Sequence, residues 1–351
     1  AWYECHHTGG GGAVSEPRYA IGIDLGTTHC ALSYVDIAQS ESDGERISGD
    51  VLEIAQLTAP GLVENRTLLP SFVYLPHSDE LTATDITLAW PSTTDSVVGE
   101  LARRRGVQTP IRLVSSAKSW LGHSGVDRHG AILPVDAPPE VTRISPLTAS
   151  VRFMSHLREA WNTAHPDAPL DKQAVTITIP ASFDPAAREL TAEAVRESGI
   201  QQFNLLEEPQ AALYSWIQAT AGQWRQQTRV RDVILVIDVG GGTTDFSLIF
   251  VNEEKGNLEL NRIAVGDHIL LGGDNMDLAL AHVVAAKLAG QGTRLEPWQV
   301  RALTQGCCAA KETLLSDAEA ESARVVVPSR GSKLIGGSLG TELTRLEVTA
   351  T

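Results

Sequence analysis

Two short stretches of this chain combine an aspartate, one or more glycines and a pair of threonines. In the first, Asp24 begins the run DLGTT, and in the second, Asp238 begins the run DVGGGTTD. Glycines allow backbone N–H groups to approach an anion closely because they have no Cβ, and hydroxyl groups add further donors. A carboxylate at the same place would repel a phosphate unless a cation lay between them. Each stretch therefore predicts a site for a phosphate-bearing ligand together with a metal ion.

Each stretch forms the turn of a predicted β-hairpin. Val233–Asp238 is apolar apart from its last residue, which predicts a strand buried on both faces, and Thr244–Val251 predicts the returning strand. Ala20–Tyr34 repeats the order of strand, turn and strand. The two aspartates are 214 residues apart (238 minus 24), so the pattern predicts a duplicated lobe rather than a short tandem repeat. Two opposed hairpins could then hold a polyphosphate and its metal from both sides.

Between the hairpins, predicted strands alternate with predicted helices. Strands at Ala174–Ile179 and Phe203–Glu207 are each followed by a helix, the first from Asp184 and the second over Gln210–Ala221. This spacing predicts parallel crossovers and an α/β fold, in which ligand-binding residues belong at the carboxyl ends of strands. Four candidate residues fall at such ends: Asp24, Pro180, Glu208 and Asp238.

Hydrophobic periodicity and turn residues predict the remaining elements. The helices are Val97–Arg105, Val114–Leu121, Leu147–His165, a helix that follows Gly272–Gly273 and runs to Leu288, and Trp298–Leu315. The strands are Val51–Leu57, Leu68–Leu75, Leu258–Val265, Arg324–Pro328 and Leu343–Val348. The Gly272–Gly273 turn has two interpretations that stay open: its amides could donate to an anion, or its glycines could only permit close packing of helix on strand.

The length and charge of the chain restrict its organisation and partners. At 351 residues it exceeds the size of about 250–300 residues at which single cores divide. We expect a flexible leader over residues 1–18, a first lobe over 19–228, and a truncated second lobe over 229–351. A net charge of −15 argues against nucleic acid or an anionic membrane as the main partner. With no apolar run of roughly 18 residues, a cytoplasmic location is the default expectation.

The hairpin motifs resemble the two phosphate motifs of the seventy-kilodalton heat-shock chaperones, which belong to the actin-like ATPase superfamily. ITIPASF at 177–183, followed by Arg188, and EEPQAA at 207–212 resemble two further motifs of these chaperones. The similarity runs from about Tyr19 to Ser316 with the motifs in the same order. It implies an actin-like ATPase (ribonuclease H-like) fold with two duplicated lobes around a nucleotide cleft, the second lobe being incomplete. It also implies ATP hydrolysis coupled to the binding of client peptides.

The resemblance implies roles for individual residues. The implied catalytic residues are Lys118, Glu208, Asp238 and Thr243. The residues implied to contact ATP or ADP are Gly26, Thr27, Thr28, Gly240, Gly241, Gly242, Thr244, Gly272, Gly273 and Lys311. Asp24 and Asp238 would hold Mg²⁺ through its water ligands, and Asp245 would bind a monovalent cation such as K⁺. Pro180 and Arg188 would relay the nucleotide state to a peptide-binding domain.

The implied partners are unfolded client peptides and J-domain or nucleotide-exchange cochaperones, with neither nucleic acid nor a membrane. The chain departs from the family pattern at His29, where an aromatic residue or Asn is usual, and at Cys308 and Glu312, where Glu and Arg are expected. We therefore hypothesise altered nucleotide affinity or preference. Two alternatives stay open: a small-molecule kinase of the same superfamily, which would need an Asp base and a sugar site, and a nucleotide-dependent interaction module that does not hydrolyse ATP.

Overall fold

The computed structural model describes residues 16–42, 49–91, 95–135, 137–220, 223–254, 257–266, 269–327 and 339–351. Most of the predicted leader, residues 1–15, lies outside the described residues. Among the described residues, none of the helices combines the length and the hydropathy that a bilayer span requires.

The first half of the chain contains most of the strands. They are β1 (Tyr19–Leu25), β2 (His29–Asp36), β3 (Asp50–Val51), β4 (Ile54–Ala59), β5 (Leu62–Arg66), β6 (Leu69–Pro70), β7 (Val73–Tyr74), β8 (Val97–Val98), β9 (Leu113–Val114), β10 (Ala174–Ile179) and β11 (Asn204–Glu207). The helices are α1 (Ile37–Ser42), α2 (Glu100–Gln108), α3 (Ala117–Gly122), α4 (Pro146–Ala164), α5 (Pro185–Glu197), α6 (Glu208–Ala219) and α7 (Trp224–Gln227). Short 3₁₀ turns lie at Thr84–Ile86, Pro110–Arg112 and Leu170–Lys172.

The central sheet of this half has the order β11-β10-β1-β2-β3, with β6 also paired to β2. β1, β10 and β11 run parallel, whereas β1 and β2 form the predicted antiparallel hairpin. Ile23, Ile177 and Trp161 of α4 are fully buried in one core. The parallel pairing confirms the predicted α/β fold and places the carboxyl ends of β1, β10 and β11 at the same edge of the sheet.

Two helices in the first half of the chain begin at capping residues that the sequence carries. Ser145 accepts a hydrogen bond from the backbone N–H of Thr148 at 2.9 Å at the start of α4. Asp184 accepts one from the backbone N–H of Ala187 at 2.6 Å at the start of α5, as the predicted start at Asp184 requires. Proline occupies the first turn of both helices, where it has no N–H to leave unpaired.

The second half consists of a three-stranded sheet and a helical layer with a β-hairpin. Its elements are β12 (Val233–Val239), β13 (Thr244–Glu254), β14 (Asn257–Val265), α8 (Gly273–Gly290), α9 (Pro297–Ser316), β15 (Ser322–Val327), β16 (Leu339–Thr344) and α10 (Arg345–Ala350). The sheet order is β12-β13-β14, and β15 pairs with β16. α8, α9 and the β15–β16 hairpin enclose a second core, which includes Leu280, Leu303 and Leu343.

The prediction that the strand Val233–Asp238 is buried on both faces is wrong. β12 is an edge strand of its sheet. Val233, Leu235, Ile237 and Val239 alternate along one face and are exposed by 52%, 51%, 57% and 59%. No described residue packs over this face closely enough to bury those side chains, because the second core forms around α8 and α9 instead.

Several predicted boundaries also need correction. The helix predicted at Val97–Arg105 begins only at Glu100, because Val97–Val98 pairs with β7 and Gly99 has φ 85°. Similarly, Leu113–Val114 pairs with β7 and α3 begins at Ala117. The strand predicted at Leu68–Leu75 is two short strands. The strand predicted at Leu343–Val348 ends at Thr344, where a capping box with Glu347 starts α10.

Candidate active site

The two acid-tipped hairpins open into one cleft between the halves of the chain. A cavity of about 530 Å³ is lined by Asp24 from the first hairpin and Asp238 from the second. Lys118 and Glu208 line it from α3 and the start of α6. The carboxyl ends of β1 and β12 therefore meet at a single cavity, as the repeated motif predicts.

Neighbouring strands and loops fix the first hairpin. The hydroxyl of Thr178 in β10 donates to Oδ1 of Asp24 at 3.0 Å, which orients that carboxylate. Ser71 donates to the carbonyl of Gly26 at 2.7 Å and supports the turn from outside. A Cβ on Gly26 would lie 2.2 Å from the backbone oxygen of His29, so a turn this tight requires glycine.

The glycine turn of the second hairpin lies directly against the first hairpin. An added Cβ on Gly241 would lie 2.1 Å from Cγ2 of Thr28. One on Gly242 would lie 2.2 Å from Oγ of Ser119 and 3.0 Å from Cγ2 of Thr27. The two threonines of the first motif and the glycines of the second thus approach each other at a distance that only glycine permits.

A lysine–glutamate ion pair lies in the cleft. Nζ of Lys118 donates to Oε1 of Glu208 at 2.6 Å, and the two side chains are 15% and 18% exposed. Burial lowers the pKa of Lys118, but the carboxylates of Glu208 and Asp24 outweigh this effect, so the pKa lies above its usual value. Lys118 is therefore a cation held among carboxylates.

The acidic groups around Lys118 are incompletely neutralised. Burial raises the pKa of Glu208; Lys118 opposes this shift, and the Asp24 and Asp238 carboxylates add to it. Burial likewise raises the pKa of Asp238. The Lys118 charge lowers this pKa, whereas the Asp245 and Asp24 carboxylates raise it further. One lysine thus faces several carboxylates, which is the surplus of negative charge that a bound cation would offset.

This donor set fits Mg²⁺ held through its own water molecules. Carboxylate oxygens suit a hard cation, and Mg²⁺ usually keeps several waters and takes one or two carboxylates together with substrate phosphates. Within the described ranges, no group of three or more His, Cys, Asp and Glu side chains is close enough to form a direct metal cage. Asp24 and Asp238 on opposite sides of the cavity agree with indirect coordination.

The amides of the Gly272–Gly273 turn are already used in the structure. Gly273 N–H donates to the carbonyl of Gly240 at 3.0 Å, and Asp274 N–H donates to that of Gly241 at 2.7 Å. An added Cβ on Gly272 would lie 2.5 Å from the Gly241 oxygen. Of the two interpretations left open by the sequence, the geometry favours close packing: this turn supports the second hairpin from behind.

The structure brings most predicted site residues to the cavity and leaves some beside it. Those that line it are Asp24, Gly26, Thr27, Thr28, Lys118, Glu208, Asp238, Gly240, Gly241 and Thr243. Those that do not line it are Gly242, Thr244, Asp245, Gly272, Gly273 and Lys311.

Contacts explain the positions of this second group. The hydroxyl of Thr244 donates to the Leu271 carbonyl at 2.8 Å, away from the cavity. Asp245 is 4% exposed and lies opposite Asp238 in the β12–β13 register. Nζ of Lys311 forms an ion pair with Asp277 at 2.7 Å, and Lys311 lies beside Gly273, near the start of α8.

The sequence motifs did not predict a role for two polar residues at the cleft, Thr178 and Ser119. Thr178 lies inside the ITIP motif but was not assigned a role, although its bond to Asp24 orients that carboxylate. Ser119 lines the cavity next to Lys118, and its buried Oγ has no hydrogen-bond partner in the structure. Ser119 could have been identified from the sequence because it directly follows Lys118, and a hydroxyl next to a site lysine is a potential contact for phosphate or water.

The departures from the family pattern lie near the cleft. His29 lines the cavity; burial lowers its pKa, Arg103 adds to this, and Glu312 and Glu100 oppose it. The Cys308 thiol contacts Oε1 of Glu312 at 3.7 Å on α9. Burial, with the Asp277 and Glu312 carboxylates, raises the pKa of Cys308, so this thiol stays neutral. At position 308 the chain therefore presents an uncharged group where the family pattern has a carboxylate.

Two related hairpins that present their aspartates and glycine turns to one cleft define an actin-like ATPase fold. The family model described as Hsp70 protein matches residues 81–348, which is more than half of the chain. The chain belongs to the Hsp70 family. This membership confirms the predicted fold, and it does not favour the small-molecule kinase or the interaction module.

Curated relatives agree with this assignment. The chain is 31% identical over 320 residues to a chaperone protein HscA homolog from Pseudomonas putida, covering 87% of this chain and 43% of the relative. It is 30% identical over 312 residues to one from Pseudomonas aeruginosa, covering 86% of this chain and 43% of the relative. It is 31% identical over 283 residues to chaperone protein HscA from Xenorhabdus nematophila, covering 77% of this chain and 38% of the relative. The chain thus spans well under half the length of these relatives.

Proposed function

We propose that this chain is the nucleotide-binding and ATP-hydrolysing part of a heat-shock-70-type chaperone, and that nucleotide state in its cleft controls the binding of client peptides. The observation that carries the proposal is the Lys118–Glu208 pair, at 2.6 Å, in a cavity lined by Asp24 and Asp238 from two related hairpins. Phosphoryl transfer to water needs charge neutralisation and in-line positioning more than covalent help from the protein. The cavity offers a cation from Lys118 and carboxylates from both hairpins for this chemistry.

In the proposed reaction, Thr27, Thr28 and the amides of Gly241 and Gly242 bind the β- and γ-phosphates. Gly26, Gly240 and Thr244 maintain the two turns; the Gly240 N–H donates to the Thr243 carbonyl at 2.8 Å. Lys118 stabilises negative charge on the γ-phosphoryl oxygens, and Thr243 contacts the same group. A water molecule attacks phosphorus; the new O–P bond forms as the bond to the ADP oxygen breaks. The proton of that water passes to the carboxylate of Glu208 or Asp238, both of which line the cavity.

The cations would be held by carboxylates on both sides of the cavity. Asp24 and Asp238 would bind Mg²⁺ through its waters, and the bound ion would neutralise phosphate charge. Asp245, buried opposite Asp238, would bind K⁺ behind the hairpin. Gly272, Gly273 and Lys311 would border the nucleoside, because the Gly272–Gly273 turn lies directly against the glycines of the second hairpin and Lys311 lies beside Gly273.

We further propose that residues 19–228 form lobe I and residues 229–351 belong to lobe II. Pro180 lines the cavity and Arg188 contacts the turn that follows it, which supports a switch between nucleotide and a peptide-binding domain. Unfolded peptides, J-domain proteins and nucleotide-exchange factors are the proposed partners in the intact protein. Cys30, Cys307 and Cys308 are free thiols, which supports a reducing cytoplasmic location.

The proposal is tested by Lys118→Ala and Asp238→Ala in the intact protein, assayed for ATP turnover and for nucleotide binding. Loss of one preorganised electrostatic partner is expected to lower kcat by about 10²–10³-fold, while some nucleotide binding is retained. The matched control is Lys172→Ala, which removes a lysine that is 61% exposed and paired to Asp171 on the surface. Turnover by both cleft variants equal to that of the unmodified protein would refute the assigned roles.

A further inference from the structure

A charged bridge joins the two halves of the chain next to the cleft. Nη2 of Arg188 in α5 donates to Oε1 of Glu207 at 2.6 Å. Nη1 of Arg262 in β14 forms an ion pair with Oε2 of the same carboxylate, without hydrogen-bond geometry. The Glu207 side chain is 12% exposed and those of Arg188 and Arg262 are 35% and 31% exposed. One part-buried carboxylate thus binds a cation from each half.

The bridge continues to the turn that follows Pro180. Nε of Arg188 donates to the carbonyl of Phe183 at 3.1 Å, and Nη2 donates to that of Ala181 at 3.3 Å. Pro180 and Phe183 both line the cavity. Arg188 therefore contacts a wall of the cavity and Glu207 at the same time.

Glu207 is also directly connected to the proposed chemistry. It ends β11 and precedes Glu208, the first residue of α6, whose carboxylate pairs with Lys118 at 2.6 Å. Consecutive Cα atoms are held about 3.8 Å apart by the trans peptide, so a displacement of Glu207 must move the backbone of Glu208. Arg188 holds Glu207 from within its own half, and Arg262 holds it from the opposite sheet.

We infer that Glu207 is a positioning residue for Glu208, and that Arg262 makes this positioning depend on the approach of the second half of the chain. The inference rests on the proposed function, because that function gives Glu208 its role. When the sheet carrying β14 moves away, Glu207 loses one of its two cations and the first turn of α6 is less firmly held. Glu208 is then less well placed beside Lys118.

The direct test uses Arg262→Gln, Arg262→Lys and Glu207→Gln in the intact protein. A misplacement of about 1 Å can cost roughly 10²-fold in rate; because Arg188 still holds Glu207 in Arg262→Gln, we expect kcat to fall about tenfold. KM for ATP should stay within about twofold, since no residue of the bridge is assigned to the nucleotide. Arg262→Lys keeps the cation and should recover at least about half of the kcat.

The control is Glu189→Gln, which breaks the Arg196–Glu189 ion pair on the exposed side of α5, where the side chains are 47% and 69% exposed. It should leave kcat unchanged. Equal kcat for Arg262→Gln and the unmodified protein would overturn the inference, as would a raised KM with unchanged kcat. Failure of Arg262→Lys to recover more activity than Arg262→Gln would also contradict it, because the charge would then be irrelevant.

A second measurement separates this inference from the proposed function. Hydrogen–deuterium exchange in peptides covering residues 204–213, without nucleotide, should be at least about twofold faster in Arg262→Gln and Glu207→Gln than in the unmodified protein. Unchanged exchange in both variants would refute the bridge whether or not the protein hydrolyses ATP. Faster exchange in the two variants, together with no ATP turnover by the unmodified protein, would support the bridge and reject the proposed function.

Discussion

The contact between Gly241 and Thr28 gives the sharpest steric prediction. A Cβ added by Gly241→Ala would lie 2.1 Å from Cγ2 of Thr28, and also 3.3 Å from its Cβ and 3.4 Å from Oγ1. Carbon atoms without a bond between them are most stable about 3.5–4.0 Å apart, so the overlap is about 1.5 Å. Rotation about χ1 of Thr28 gives little relief, because Cβ itself is already close and β-branched side chains are stiff.

The expected result is that the two hairpins move apart by roughly 1 Å, which should lower kcat by about 10²-fold. ATP turnover of the intact protein with Gly241→Ala measures this, with thermal unfolding recorded to show that the fold survives. The control is Gly290→Ala at the end of α8, where an added Cβ would have no atom within 4 Å. Thr28→Ser removes Cγ2 and keeps the hydroxyl, so the double variant should recover part of the loss. Activity of Gly241→Ala within threefold of the unmodified protein, or no recovery in the double variant, would show that this contact does not set the spacing of the hairpins.

Two further predictions concern stability and ligand choice. Arg128 donates to both oxygens of Asp184 at 3.0 and 2.9 Å, and this pairing holds the pKa of Asp184 at about 2. The depressed pKa of Asp184 stabilises the fold above about pH 4, and that contribution is lost as the pH falls towards 2. Because the Asp184 side chain is 41% exposed and partly screened by solvent, Arg128→Gln should lower the free energy of unfolding by only about 1 kcal/mol near pH 7. In urea unfolding, the difference between the variant and the unmodified protein should shrink below pH 4. Equal pH profiles for the two proteins would contradict this. The neutral Cys308 thiol beside Glu312, where the family pattern has Glu and Arg, predicts an altered affinity or preference for nucleotide, measured by calorimetric titration of the intact protein with ATP and with GTP. Ordinary tight ATP binding would end this idea.

The parts of the fold that sequence predicted well carry strong local signals. The two hairpins follow from apolar strands around glycine turns, and the starts of α4 and α5 follow from a capping side chain and a proline. The start of α10 shows a local signal that was overlooked: Thr344 and Glu347 have the spacing of a capping box, which outweighs the apolar residues that suggested a strand.

Other features depend on tertiary contacts that no local pattern contains. An apolar run cannot show whether another layer covers a strand, so the exposed face of β12 was predicted to be buried. The hydrogen bond from the Ser116 hydroxyl to Asp274 at 2.5 Å and the ion pair of Arg262 with Glu207 join residues far apart in sequence and on opposite sides of the cleft. Family resemblance predicted most of the residues that line the cavity, but these contacts join the two halves of the chain.

Anomalous diffraction can locate the metal that the aspartates of the two related hairpins are proposed to share with a nucleotide. Crystals of the intact protein grown with ADP and Mn²⁺ in place of Mg²⁺ should show one strong peak inside the cleft, between the Asp24 and Asp238 carboxylates and next to the β-phosphate. A metal peak outside the cleft, or nucleotide bound with neither aspartate near its phosphates, would show that the two hairpins do not hold a common ligand.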